Sequence, residues 1–108
     1  MRKSVLGIAA AAALILAAAP VLAAAKHEAP MSDEDVEGLF ASVCGFCHAD
    51  GGRTAGKGPQ LMGTKRSDAF IVNRIKFGKF GRMPAFGQQL SDREIKAIVH
   101  YIRNLKPD

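Results

Sequence analysis

Apolar residues recur at helical spacing in three separate stretches of the chain. Val36, Leu39, Phe40 and Val43 come at intervals of three and four. Ser32 precedes them as a cap, and Asp33, Glu34 and Asp35 suit the positive end of a helix dipole. The spacing predicts a first helix over 33–43, stopping at Cys44-Gly45. A second is predicted over 68–77, capped by Ser67 and closed by Gly78. Ser91-Asp92-Arg93-Glu94 reads as a capping box, in which Ser91 and Glu94 satisfy each other's orphan amides. Ile95, Ile98, Val99, Ile102 and Leu105 then form the clearest apolar stripe, limited by Pro107. Between the helices, residues 49–64 and 78–90 hold too many glycines and prolines for a strand to survive. The expected class is all-α, three helices joined by two long loops. Structureless loops beyond about 12–15 residues are uncommon unless they are functional or wrap something. Here they are expected to wrap a cofactor.

The N-terminal quarter follows a different pattern. Arg2 and Lys3 are basic, Val5 to Leu16 is apolar, Pro20 breaks the run, and Ala23-Ala24-Ala25 supplies small residues. That order predicts a secretory signal peptide over 1–25, cleaved after Ala25 or Ala23. The competing reading is an uncleaved anchor, since residues 4–25 carry no charge. Alanine-rich sequence inserts weakly, which favours cleavage. Either way the chain is expected to be exported, with a periplasmic location. Residues 26–108 remain as one domain, too short for an array of alternating strands and helices. A domain of that size buries little apolar surface and needs a staple such as a disulfide, a metal or a covalent cofactor.

The two cysteines indicate which staple. Cys44-Gly45-Phe46-Cys47-His48 puts two thiols one helical turn apart, the spacing of adjacent vinyl groups on a porphyrin edge, and brings His48 under the iron. This run is the attachment signature of haem c. A thioredoxin-like dithiol would need a strand and a sheet around it. A zinc site would need a second ligand pair, and no further cysteine exists. A plain disulfide would leave His48 and the loops without a purpose. For the second axial position the candidates are Met31, Met62, Met83, His27 and His100. Met83 is preferred, because it lies in the irregular segment Gly81–Gly87 with a loop and a helix between it and His48. Histidine–methionine ligation is also a standard haem arrangement.

These residues resemble a class I c-type cytochrome of the small bacterial and algal single-haem kind, over about Val36 to Leu105. The resemblance rests on Cys44-Gly45-Phe46-Cys47-His48, on Gly58-Pro59-Gln60-Leu61-Met62-Gly63, and on Met83-Pro84-Ala85-Phe86 followed by Leu90-Ser91-Asp92. It implies thioethers on Cys44 and Cys47, iron ligation by His48 and Met83, and a hydrogen bond from His48 to the Pro59 carbonyl that strengthens the imidazole as a ligand. It also implies that the first and last helices cross near Phe40 and Tyr101. The family often has glycine where Val36 stands. Either the crossing is wider here or Gly38 takes that role in a shifted register.

Charge is segregated. Residues 26–50 sum to −5 and residues 51–90 to +7. The basic stretch from Arg53 to Arg82 includes both loops expected to frame the haem. Some of its cations should pair with propionates, and the rest, led by Lys57, Lys76 and Lys79, should offer a face to an acidic redox partner. Nucleic acid is not expected as a partner, nor a small-molecule substrate at an iron with both axial positions filled. The function expected is one-electron transfer by a monomeric, non-enzymatic carrier, between a dehydrogenase or membrane complex and a terminal acceptor. The alternatives are a small haem c enzyme or ligand sensor with an open iron site, and a permanent electron-entry subunit.

Overall fold

In the computed structural model, Gly7, residues 9–18 and residues 29–108 are described. The expected cleavage site at Ala23 or Ala25, and His27, lie outside the described residues. Gly7 and residues 9–18 are exposed and without regular secondary structure. No helix among the described residues is long and apolar enough to cross a membrane.

Three helices form: α1 (Asp33–Val43), α2 (Asp68–Phe77) and α3 (Asp92–Asn104), with a short 3₁₀ turn at Asp50–Gly52. Each starts as its sequence predicts. Ser32 Oγ accepts from the Asp35 amide at 3.1 Å and Ser67 Oγ from the Phe70 amide at 3.1 Å. The capping box closes with Ser91 Oγ accepting from the Glu94 amide at 3.2 Å and Glu94 Oε2 from the Ser91 amide at 2.7 Å. Gly78 ends α2 at φ 65°, in a left-handed conformation that favours glycine. Among the described residues there is no strand, only an isolated antiparallel bridge between Lys79 and Met83.

The α3 helix is the hub. Ile95, Ile98, Val99 and Ile102 turn inward against Phe40 of α1 and Ile71 and Ile75 of α2. Each such side chain contributes about 2 kcal/mol when fully buried, before the entropy of ordering it. Where α1 meets α3, the Phe40 and Tyr101 rings lie 4.9 Å apart, and the Tyr101 hydroxyl donates to the Gly51 carbonyl at 2.8 Å. Val36 is buried on this side of α1, one turn before Phe40. Gly38 is exposed, with open space where a Cβ would stand. The shifted register through Gly38 is therefore not the one adopted, because a crossing centred on Gly38 would turn the buried Val36 out to solvent.

Two arginines tie the loops down. Arg103 binds Asp68 through Nε at 2.8 Å and donates to the carbonyls of Thr64 and Arg66, holding the start of α2 against the end of α3. Arg53 donates to the Lys106 carbonyl at 2.7 Å and pairs with Asp108 at 3.4 Å. The loop after the cysteine motif is thereby fastened to the C-terminus.

Candidate functional site

The C-terminal end of α1 runs directly into the Cys44–His48 turn. The amides of Cys44 and Gly45 both bond the Phe40 carbonyl, and those of Cys47 and His48 both bond the Cys44 carbonyl. A side chain at Gly45 would stand 2.6 Å from the Ala41 carbonyl, so glycine is required for the turn to close on the helix. Cys44 and Cys47 are half-buried and are not joined to each other by a disulfide. Burial pushes the Cys44 thiol up to about 11. The thioredoxin-like reading would need a strand and a sheet around the motif, and among the described residues there is no strand.

His48 is buried. Its Nδ1 lies 2.8 Å from the Pro59 carbonyl, which can only accept, so Nδ1 carries the proton. Nε2 is left with its lone pair and no hydrogen-bond partner among the described residues. The loop that supplies Pro59 is clamped to the turn by the Gly58 amide bonding the Cys47 carbonyl at 2.8 Å. Gly58 lies flat on the imidazole: a Cβ there would meet His48 Cε1 at 2.6 Å and Nδ1 at 2.9 Å. In the sequence Gly58 is a loop residue and the start of the Gly58–Gly63 segment, and its contact with His48 was not read from it. The one available signal was its place directly before Pro59.

Met83 is presented by a tight turn. The Lys79 amide bonds the Met83 carbonyl at 2.8 Å, and the Met83 amide bonds the Lys79 carbonyl at 2.9 Å. The following residues return to α2, with Phe86 and Gly87 amides bonding the Ile75 and Lys76 carbonyls. Met83 and Cys44 both pack, half-buried, against the one hydrophobic core. Met31 and His100 instead line a separate hollow of about 1070 Å³ between α1 and α3, which includes none of Cys44, Cys47, His48 or Met83. Met62 is half-buried beside Leu61, and the amides of both bond the Gly52 carbonyl.

One expected docking cation is not available. Lys76 is half-buried and pairs with Asp92 at 2.7 Å, and its hydrogen bond and charge hold the Asp92 carboxyl below the usual range. Lys57 is exposed, with its ammonium 4.5 Å from the centre of the Phe46 ring.

The residues fit an iron porphyrin. Among the described residues no three histidine, cysteine or acidic side chains converge, so a bare metal ion would find no cage. An iron arriving with its own equatorial nitrogens needs only axial donors, and the free Nε2 of His48 is one. The two uncommitted thiols, one and four residues before it, suit covalent attachment.

A family profile described as cytochrome c oxidase, cbb3-type, subunit III matches residues 26–102. The chain belongs to this family of class I c-type cytochromes: it has the all-α cytochrome c fold and binds haem c covalently. It is 35% identical over 92 residues to the cbb3-type cytochrome c oxidase subunit FixP of Azorhizobium caulinodans, covering 76% of this chain but only 30% of that protein. Similarity to cytochrome c6 of Gracilaria tenuistipitata var. liui is 32% over 74 residues, covering 63% of this chain and 68% of the other. Among solved structures, dihydro-heme d1 dehydrogenase NirN superposes with a TM-score of 0.60 at 30% identity, over 67% of this chain and 16% of that one.

Proposed function

We propose that the chain is a periplasmic one-electron carrier in which Cys44 and Cys47 hold haem c by thioethers and His48 and Met83 ligate its iron. It would move electrons between a dehydrogenase or membrane complex and a terminal acceptor. The observation that carries this reading is the buried His48 ring, protonated on Nδ1 toward Pro59 and vacant on Nε2, one residue after a free cysteine. Haem c supplies the Fe(III)/Fe(II) couple. The Pro59 carbonyl fixes the imidazole's orientation and raises its basicity. The reciprocal Lys79–Met83 bonds hold the Met83 backbone, so its thioether is positioned by a closed turn rather than a loose loop. Export is supported by the basic, apolar and small-residue order of residues 1–25. The exposed cations Lys57 and Lys79 would meet an acidic partner.

Optical spectroscopy of the purified holoprotein tests the ligand set. The ferric form should show the weak near-infrared sulfur-to-iron band. Met83→Ala should abolish that band and lower the reduction potential, while Met62→Leu leaves both in place. The reverse pattern would move the ligand to Met62. A high-spin wild-type spectrum would replace the carrier reading with a haem enzyme or sensor.

A further inference from the structure

The 3₁₀ turn at Asp50–Gly52 carries a carboxylate for which the iron site has no use. Asp50 is exposed, and its side chain forms no hydrogen bond or ion pair among the described residues. Its φ of 51° is in the left-handed region, and no other described residue except glycine is found there. The Gly51 amide that follows also donates to nothing among the described residues. The bonds of the turn run instead from the Gly52 amide to the Ala49 carbonyl and from the Arg53 amide to the Asp50 carbonyl. Glycine puts no side chain in the way of that nitrogen. Asp50 is also the only aspartate in the sequence followed by glycine. Asp33, Asp35, Asp68 and Asp92 stand in the first turns of helices and precede residues with side chains.

We infer that Asp50–Gly51 is a site of spontaneous backbone isomerisation, which turns this linkage into an isoaspartyl one as the protein ages. The Gly51 nitrogen attacks the side-chain carboxyl carbon of Asp50. A carbon–nitrogen bond forms, a carbon–oxygen bond breaks, and water leaves, so that a cyclic imide results. Water then adds back at one of the two imide carbonyls. Addition at the side-chain carbonyl restores aspartate. Addition at the main-chain carbonyl breaks its bond to nitrogen, and the chain then runs through the Asp50 side chain with one methylene more. The sum is an isomerisation that needs only water. A lone 3₁₀ turn opens more readily than the helices, which gives the nitrogen its access. The extra methylene falls where the packing cannot take it up. A Cβ on Gly51 would already stand 2.8 Å from the Tyr101 hydroxyl, and one on Gly52 would stand 3.2 Å from Phe40 Cζ. The Gly51 carbonyl accepts from Tyr101, and the Gly52 carbonyl accepts from the Leu61 and Met62 amides. Isomerisation therefore loosens the seat of the loop that carries Pro59. None of this depends on which residues ligate iron.

The test is warm storage of the intact holoprotein at neutral pH, followed by peptide mapping and by methyl labelling with an isoaspartate-specific methyltransferase. Label should accumulate in the peptide that contains Asp50 and Gly51 and not at the other aspartates, with the mass of the opened product unchanged. Asp50→Gly suits the left-handed backbone and removes the carboxyl, so it should lose the label altogether. Asp50→Asn keeps the same ring closure with a better leaving group, ammonia, and should gain label faster. Hydrogen exchange on the aged fraction should show lost protection at the Leu61 and Met62 amides, with the α3 amides unchanged. Label that appears only in urea-unfolded protein would overturn the inference, because the fold would then protect the pair. Label spread evenly over the aspartates, or persisting in Asp50→Gly, would overturn it as well. Aged, labelled protein with Leu61 and Met62 as protected as in fresh protein would overturn the loosening of the loop.

Discussion

Gly58→Ala isolates the support of His48 from everything else. Gly58 does not occupy a left-handed backbone conformation, so alanine adds no φ strain and the perturbation is purely the new methyl. That methyl would stand 2.6 Å from His48 Cε1, whereas ordinary contact begins near 3.4 Å. The ring or the loop must therefore move by almost an ångström. The loop resists, because the Gly58 amide is bonded to the Cys47 carbonyl and Pro59 is the acceptor for the ring. Overpacking of this kind costs about 1–3 kcal/mol, and a broken Nδ1–H···O bond adds about 1 kcal/mol. A net loss of about 2–3 kcal/mol would lower the urea midpoint by about 2 M for a domain of this size. Loss of the bond also makes the imidazole a poorer donor to ferric iron. The potential should rise, by about 40 mV if roughly 1 kcal/mol of ligand strengthening is removed. Urea unfolding and redox titration of the holoprotein measure the two effects separately. A variant within about 0.3 kcal/mol of the wild type and unchanged in potential would refute the idea that Gly58 and Pro59 together hold the ring.

Three further outcomes follow from the same structure. Gly38→Ala, on the open face of α1, should stabilise the protein by about 0.5–1 kcal/mol in urea, since helix propensity rises with no contact to disturb. Burial holds the Tyr101 phenol above its ordinary value, with Arg53 opposing and Glu37 and Asp50 adding to the rise. Its contribution to stability should thus be fully present below about pH 10 and be lost as pH climbs through the higher folded value. Tyr101→Phe should remove that alkaline dependence and cost about 1 kcal/mol at neutral pH through the bond to Gly51. As the chain's single tyrosine, with no tryptophan, Tyr101 can be followed directly by phenolate absorbance. Finally, Lys57→Glu and Lys79→Glu should slow bimolecular electron transfer with an acidic partner at low salt, the difference fading as ionic strength rises. Lys76→Glu should instead lose stability, because it sets a second carboxylate beside Asp92. Rates indifferent to salt would exclude the basic face as the docking surface.

Much of this protein is written locally. The helix starts depend on Ser32, Ser67 and Ser91 and the few residues after each, so their boundaries could be read directly from the sequence. The Cys44–His48 run is equally local, because its chemistry needs only one turn of backbone. Residues far apart in sequence were another matter. The place of Gly58 before Pro59 hints at His48 but does not reveal that the glycine backbone lies against the ring, and nothing near Lys76 reveals that Asp92 will neutralise it. The choice between Val36 and Gly38 required α3 to be in place, since both occur on α1 and only packing tells them apart. The Tyr101–Gly51 bond and the hold of Arg103 on the loop before α2 likewise join positions dozens of residues apart. Capping, periodicity and covalent spacing act over one or two turns of chain and are carried by the sequence alone. Which glycine must stay bare, and which lysine stays free, depends on where the loops return, and that is decided only when α1 and α2 close on α3.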